Sequence, residues 1–179
     1  MRLVDKIVEV SNKPLSTKSR LVATIPPIFV FFLFFPSLLF LIPSLILDKW
    51  FALPTFLNFP IRAVVGSILI GIGVTFLLWT IKVQREIGKG TPMPLMATRK
   101  LIVQAPYSYS RNPLAFGLIT LYFGISICIG SVSSLIMVVV FSTIILSYIK
   151  LIEEKELERR FGDAYVKYKQ TTPFIIPHW

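Results

Sequence analysis

The chain holds one cysteine, one histidine and few charges for its length. Cys128 lies inside an apolar run, so no internal disulfide can form. Cys128 and His178 together are too few for a structural or catalytic zinc site, and no metal is expected. Charged residues make up 16% of the 179 positions, and hydrophobic ones 54%. Ordinary globular chains carry about a quarter charged residues. The apolar content also excludes a disordered chain. No Gly-rich strand-to-helix fingerprint of a dinucleotide-binding fold is present. Acidic residues are the scarcer sign: nine Asp and Glu stand against nineteen Lys and Arg, for a net charge of +10.

What is present is long uncharged runs. Three stretches carry no Asp, Glu, Lys or Arg: 21–47, 63–81 and 112–149. A spanning helix takes about 20 apolar residues, so the first two each fit one crossing. The third would make a helix of ~57 Å, about twice the hydrocarbon thickness. It contains a small polar break, Gly130-Ser131-Val132-Ser133-Ser134. We read it as a hairpin of two spans, 113–130 and 132–149. The expected fold is an all-α integral membrane protein, a single membrane domain over 1–179, with about four transmembrane helices. A cytoplasmic C-terminal amphipathic helix completes it: Leu157, Phe161, Tyr165 and Tyr168 recur at helical spacing over 150–170. Pro26, Pro27, Pro36 and Pro43 predict a kinked or locally unwound first span. The apolar, proline-bounded stretch 50–60 predicts an interfacial loop.

Seventeen of the nineteen basic residues fall in the 1–20 tail, the 82–112 link and the 150–177 segment, and two, Lys49 and Arg62, in the link between spans one and two. The positive-inside rule then places both termini and both long segments in the cytoplasm. The basic balance is a topology signal. A nucleic-acid partner would need a basic, aromatic-bearing face on a soluble module, and none is expected.

The spans contain no ionisable carboxylate, Lys, Arg or His, which argues against an ion-coupled carrier. The polar chemistry lies in 82–112 and 150–177, which the hairpin brings to one membrane face. Lys89-Gly90-Thr91-Pro92-Met93-Pro94 is a loop by composition. Asn112 suits an N-cap and Pro113 a first helical residue of span three. The same helix N-terminus can also receive an anion, with Arg111 beside it to hold a carboxylate by a paired contact. Glu156 and Arg160 form an i, i+4 pair. Glu153 and Glu154 emerge within one turn of the membrane, where a carboxylate can hold a cation or accept a proton. Helical residues one apart point about 100° apart, so only one of the two faces a given cavity fully.

Pro106-Tyr107, then Arg111-Asn112-Pro113 and Gly117, resembles the hallmark of the isoprenylcysteine carboxyl methyltransferase and phospholipid methyltransferase families. So do Glu153-Glu154, Leu157, Phe161-Gly162, Tyr165 and Tyr168, closing with Pro173 and Pro177. The resemblance covers roughly residues 60–177. It implies an integral membrane methyltransferase that uses S-adenosylmethionine without a Rossmann domain. It also implies that Arg99, Lys100, Leu101, Ile102, Tyr107, Asn112, Pro113, Leu114 and Ala115 line the cofactor cavity. Glu153 matches the family's acceptor-side acid, with Glu154 next to it toward the cofactor or the solvent. The families commonly carry His at the place of Asn112 and Tyr at that of Ala115. The prenylcysteine enzymes carry a substrate-binding Arg where this chain has Ile149, beside Lys150.

The expected function is therefore methyl transfer from S-adenosylmethionine to a lipophilic acceptor from the bilayer. That acceptor is a prenylcysteine-type carboxylate or a lipid amine. Glu153 and Arg111 are the candidate catalytic residues. The expected partners are membrane lipids and the lipophilic or prenylated substrate. The alternatives are a membrane reductase using a nicotinamide cofactor, or an inactive membrane scaffold.

Overall fold

The computed structural model describes residues 30–87 and 100–178. The 1–20 tail, the start of the first span with Pro26 and Pro27, and the loop 89–94 with Arg99 lie outside the described residues. Among the described residues every regular element is a helix.

The first helical run, α1 (30–50), is wound mostly as π-helix, over Val30–Phe34, Ser37–Leu41 and Pro43–Leu47. Its prolines explain this. Pro36 and Pro43 offer no N–H to an α-type ladder. The chain bonds one residue further along instead, Ile42 N–H to Ser37 C=O and Asp48 N–H to Pro43 C=O. The Ser37 and Ser44 hydroxyls donate to the carbonyls of Leu33 and Phe40. The expected unwinding thus takes the form of a widened helix, with polar groups kept inside it.

After the 51–58 link, α2 runs over Phe59–Glu86, α3 over Pro113–Ile129 and α4 over Val132–Tyr148. The sequence-predicted 63–81 lies well inside α2, and 113–130 and 132–149 coincide with α3 and α4 to within one residue. A π-turn, Ile149–Glu153, joins α4 to α5 (Glu154–Phe161), and α6 (Asp163–Thr171) follows. Among the described residues two helical runs are long and apolar enough to cross a membrane, Phe59–Glu86 and Val132–Phe161, whose most apolar 18-residue stretches have mean hydropathies of 2.2 and 2.4. The apolar α3 is shorter, 17 residues, or ~26 Å.

The single amphipathic helix expected over 150–170 is corrected to two. Gly162 adopts φ 56°, ψ −136°, open in practice only to glycine, and there the chain turns from α5 into α6.

The closest helix pair is α2 and α3, antiparallel and seamed by glycine. A Cβ on Gly73 would sit 2.5 Å from the Leu121 nitrogen, and one on Gly124 would sit 2.7 Å from that of Ile70. Gly66 and Gly117 extend the seam, with glycines seven residues apart on each helix. Small residues that let backbones touch are how helices associate where lipid removes the hydrophobic drive. Leu39 and Phe40 of α1, Tyr122 of α3, and Val138 and Phe141 of α4 form the buried core. Outward faces are apolar and exposed, including Val64, Ile68 and Leu78 on α2 and Ile136, Val140 and Ile144 on α4.

One end of the bundle is closed by polar ties. Gly130 takes the left-handed conformation (φ 75°) that ends α3, and the Ser131 hydroxyl accepts the Ser134 N–H at 3.0 Å to start α4. The Asp48 carboxylate accepts the Ser133 N–H at 3.0 Å, and Arg62 Nη1 donates to the Ile129 carbonyl at 3.2 Å. The opposite end carries the candidate site.

Candidate functional site

The site begins at the N-terminus of α3. Pro113 occupies its first turn and Asn112 the cap position, but the Asn112 side chain makes no capping bond. This corrects the capping role expected for it. The Asn112 amide donates instead to the Phe174 carbonyl at 2.8 Å. That bond is one of four that lay segment 173–178 along 109–112. The Arg111 N–H reaches the Pro173 carbonyl at 2.9 Å and the Ser110 hydroxyl the Ile175 carbonyl at 2.9 Å. The His178 N–H reaches the Tyr109 carbonyl at 3.1 Å.

Two further bonds fix the preceding turn. The Tyr168 hydroxyl donates to the Tyr107 carbonyl at 2.7 Å. The Tyr107 hydroxyl oxygen accepts from Gln84 Nε2 at the end of α2. Burial pushes the Tyr107 phenol well above its ordinary range; the Gln84 bond pulls it back, and the negative charge of Glu153 pushes it up again. Tyr107 therefore stays protonated at neutral pH.

The charged centre is Glu154. Arg111 Nη1 lies 2.9 Å from its Oε1, and the two side chains are only 6% and 2% exposed. Lys169 Nζ stands 3.2 Å from Oε2 and Lys150 Nζ 3.6 Å. The Arg111 guanidinium and the Lys150 ammonium both lie over the Phe174 ring, at 5.7 and 5.0 Å from its centroid. The Arg111–Glu154 contact is close but misaligned. Arg111 Nε and Nη1 and both Glu154 oxygens are buried, and Arg111 and Glu154 make no aligned hydrogen bond to each other, while Lys169 Nζ reaches Glu154 Oε2. Buried charges without aligned partners are costly.

Glu153 differs from its neighbour. It is half-buried, beyond the 132–149 span. Burial first, and then the charges of Glu156 and Glu154, push its carboxyl up to about 7. Its charge is felt at both Tyr107 and Tyr165.

The structure thus brings Arg111, Asn112 and Glu154 into one cluster and sets Glu153 within electrostatic reach of Tyr107. Pro113 and Ala115 are buried and Leu114 half-buried in the first turn of α3. Ile102 is buried, Leu101 half-buried and Lys100 exposed; among the described residues none of the three pairs with Arg111 or Glu154. Arg99 lies outside the described residues. The expected Glu156–Arg160 pair forms at 3.3 Å.

Sequence reasoning missed Gln84, Lys169 and Phe174. Lys169 carries no local signal, because a straight helix would hold it ~22 Å from Glu154. The break at Gly162 is what folds it back. Phe174 had one signal, its place next to Pro173 in the closing motif. An open depression of about 480 Å³ lies against α6, lined by residues that include Val103, Ser108, Lys167 and Thr171. Neither Arg111 nor Glu154 lines it.

Compared with known proteins, the chain matches the model of one family, described as phospholipid methyltransferase, over residues 61–164, more than half its length. No curated protein and no solved structure matches it.

Proposed function

The chain belongs to the phospholipid methyltransferase family, and on that premise we propose that it transfers the methyl group of S-adenosylmethionine to a lipophilic acceptor reached from the bilayer. The observation that carries the reading is the buried Arg111–Glu154 contact, 2.9 Å long and without an aligned hydrogen bond between the two, beside the N-terminus of α3. An amino-acid head group is a zwitterion. Its carboxylate suits a guanidinium with two free N–H groups and a helix N-terminus. Its ammonium would take the place of the partly exposed Lys150 or Lys169 at the Glu154 carboxylate. The residues present therefore fit the amino-acid part of the cofactor. Tyr107 and the first turn of α3 would surround it, with Lys100, Leu101 and Ile102 along the approach.

When bound, S-adenosylmethionine supplies a methyl group already activated on sulfur. What remains for the protein is alignment, exclusion of water and handling of one proton. An acceptor amine must lose a proton as its nitrogen takes the methyl group and the carbon–sulfur bond breaks. Glu153 is the group to receive it, since its carboxyl titrates at about 7. A carboxylate acceptor needs no base. In our reading the chain crosses the membrane four times, with both termini and the site on the cytoplasmic face.

The test is incubation of purified protein, in vesicles of total membrane lipid, with methyl-labelled S-adenosylmethionine. Label is expected in the lipid extract, and label confined to the aqueous phase would overturn the reading.

A further inference from the structure

We propose that segment 173–178 is a strap that positions Arg111 for the cofactor, and that Phe174 and Asn112 are its positioning residues. The proposal rests on the reading of Arg111 as a cofactor contact. The strap lies beyond the 61–164 that the family match covers.

Four hydrogen bonds join the strap to the 109–112 turn, each on a separate pair of residues. They use the polar groups that the turn would otherwise leave buried: the Arg111 N–H, the Ser110 hydroxyl and the Tyr109 carbonyl. Ser110 is fully buried, so its hydroxyl has no water to turn to. The strap therefore completes the backbone from which Arg111 projects.

The side chain is held separately. Arg111 has no aligned hydrogen bond from Nε or Nη1 among the described residues, so nothing directional locks the guanidinium. Two contacts set its place, Glu154 on one side and the Phe174 ring on the other. The ring also faces Lys150, a second cation that leans on the same carboxylate. Without the ring, Arg111 is free to turn fully onto Glu154 and close the pair on itself. With it, both groups keep unmet hydrogen-bonding capacity for a ligand. A contact that holds a group ready raises affinity by lowering the cost of arranging it. Asn112 acts one step further away: its amide fixes the Phe174 carbonyl, and so the ring.

The experiment uses the full chain in detergent, with Phe174→Ala, Phe174→Trp, Asn112→Ala and the Phe174→Ala/Asn112→Ala double variant. S-adenosylhomocysteine, the inert product of methyl transfer, is titrated calorimetrically. Hydrogen exchange is followed over residues 107–116, and turnover is resolved into KM and kcat. Phe174→Ala is expected to weaken binding about tenfold, between the worth of an exposed and of a desolvated cation–ring contact. KM for S-adenosylmethionine should rise more than kcat falls, and Phe174→Trp should restore affinity. Asn112→Ala should speed exchange over 107–116, and the double variant should bind little worse than Phe174→Ala. Wild-type affinity in Phe174→Ala, or a loss that Trp does not restore, would overturn the proposal. Should the wild-type chain bind no S-adenosylhomocysteine, the functional reading fails by itself. The strap is then judged on exchange: faster exchange in Asn112→Ala supports it, and unchanged exchange overturns it.

Discussion

At the scale of single residues, adjacent carboxylates have been given different surroundings. Glu154 is inside, with three cations around it; Glu153 is half-buried, with other carboxylates as its neighbours. Two predictions separate them. Arg111→Ala should weaken S-adenosylmethionine binding by about tenfold or more, since a hydrogen bond to a charged group is worth roughly 1.5–3 kcal/mol. Calorimetric titration checks this, and unchanged affinity would remove Arg111 from the site. Glu153→Gln should keep cofactor affinity and lose most turnover on an amine acceptor, because Gln preserves shape and removes the base. The wild-type rate should climb as pH rises through about 7, where Glu153 loses its proton, and the Gln variant should lose that climb. Stability carries the opposite sign. A carboxyl raised from 4.5 to about 7 binds its proton longer in the folded chain than in the unfolded one. Stability therefore falls as pH climbs between those values and stays lowered above them. Glu153→Gln should raise Tm relative to wild type at pH 8 and give no such gain at pH 4; equal Tm differences at both would sink the assignment.

At the scale of elements, the uncharged run 112–149 and its polar break at 130–134 were enough to read the α3–α4 hairpin. Gly130 and Ser131 do there what glycine and serine do at helix ends. The irregular winding of α1 was legible from its prolines. The faces of Glu153 and Glu154 were not, because the π-turn Ile149–Glu153 adds a residue to one turn and rotates everything after it. A 100° step counted from α4 then points the wrong way. Nor could the sequence say that Asn112 ties to a carbonyl 62 residues away and leaves the cap unmade. The motifs brought the right segments together, while tertiary pairing decided what each side chain holds. The seven-residue glycine spacing was visible in both helices, but its meaning depends on which helices pair. A Cβ on Gly73 would approach the Leu121 backbone to 2.5 Å, so Gly73→Val should separate α2 from α3. Overpacking typically costs about 1–3 kcal/mol. Gly71, with open space around it, is the control. Thermal unfolding in detergent should show a large loss for Gly73→Val and almost none for Gly71→Ala.

At the scale of the whole molecule, the proposed orientation rests on charge, and the structure adds which residues share an end of the bundle. Charge counting puts seventeen of nineteen basic residues on one side of the proposed four crossings. Geometry sorts the described residues the same way. Asp48 and Arg62 tie to the α3–α4 turn at one end, while Gln84, Tyr107, Arg111 and segment 173–178 gather at the other. The proposed reaction needs a lipid acceptor and a water-soluble cofactor to meet at a membrane face, and the second end is the one we propose for it. It sets buried charges within a turn of exposed apolar helix. Labelling tests the arrangement. Ser108, Thr171 and Thr55 are all exposed, the first two at the site end and the third in the 51–58 link. Single cysteines are placed at each in a Cys128→Ala background, because the native thiol lies at the α2–α3 seam. In inside-out vesicles a membrane-impermeant thiol reagent should modify the cysteines at 108 and 171 and spare that at 55. In right-side-out vesicles the pattern should invert. Modification of 108 and 55 from the same side would break the single crossing between them, α2, and the positive-inside assignment with it. The charge asymmetry of seventeen basic residues to two would then need a new explanation.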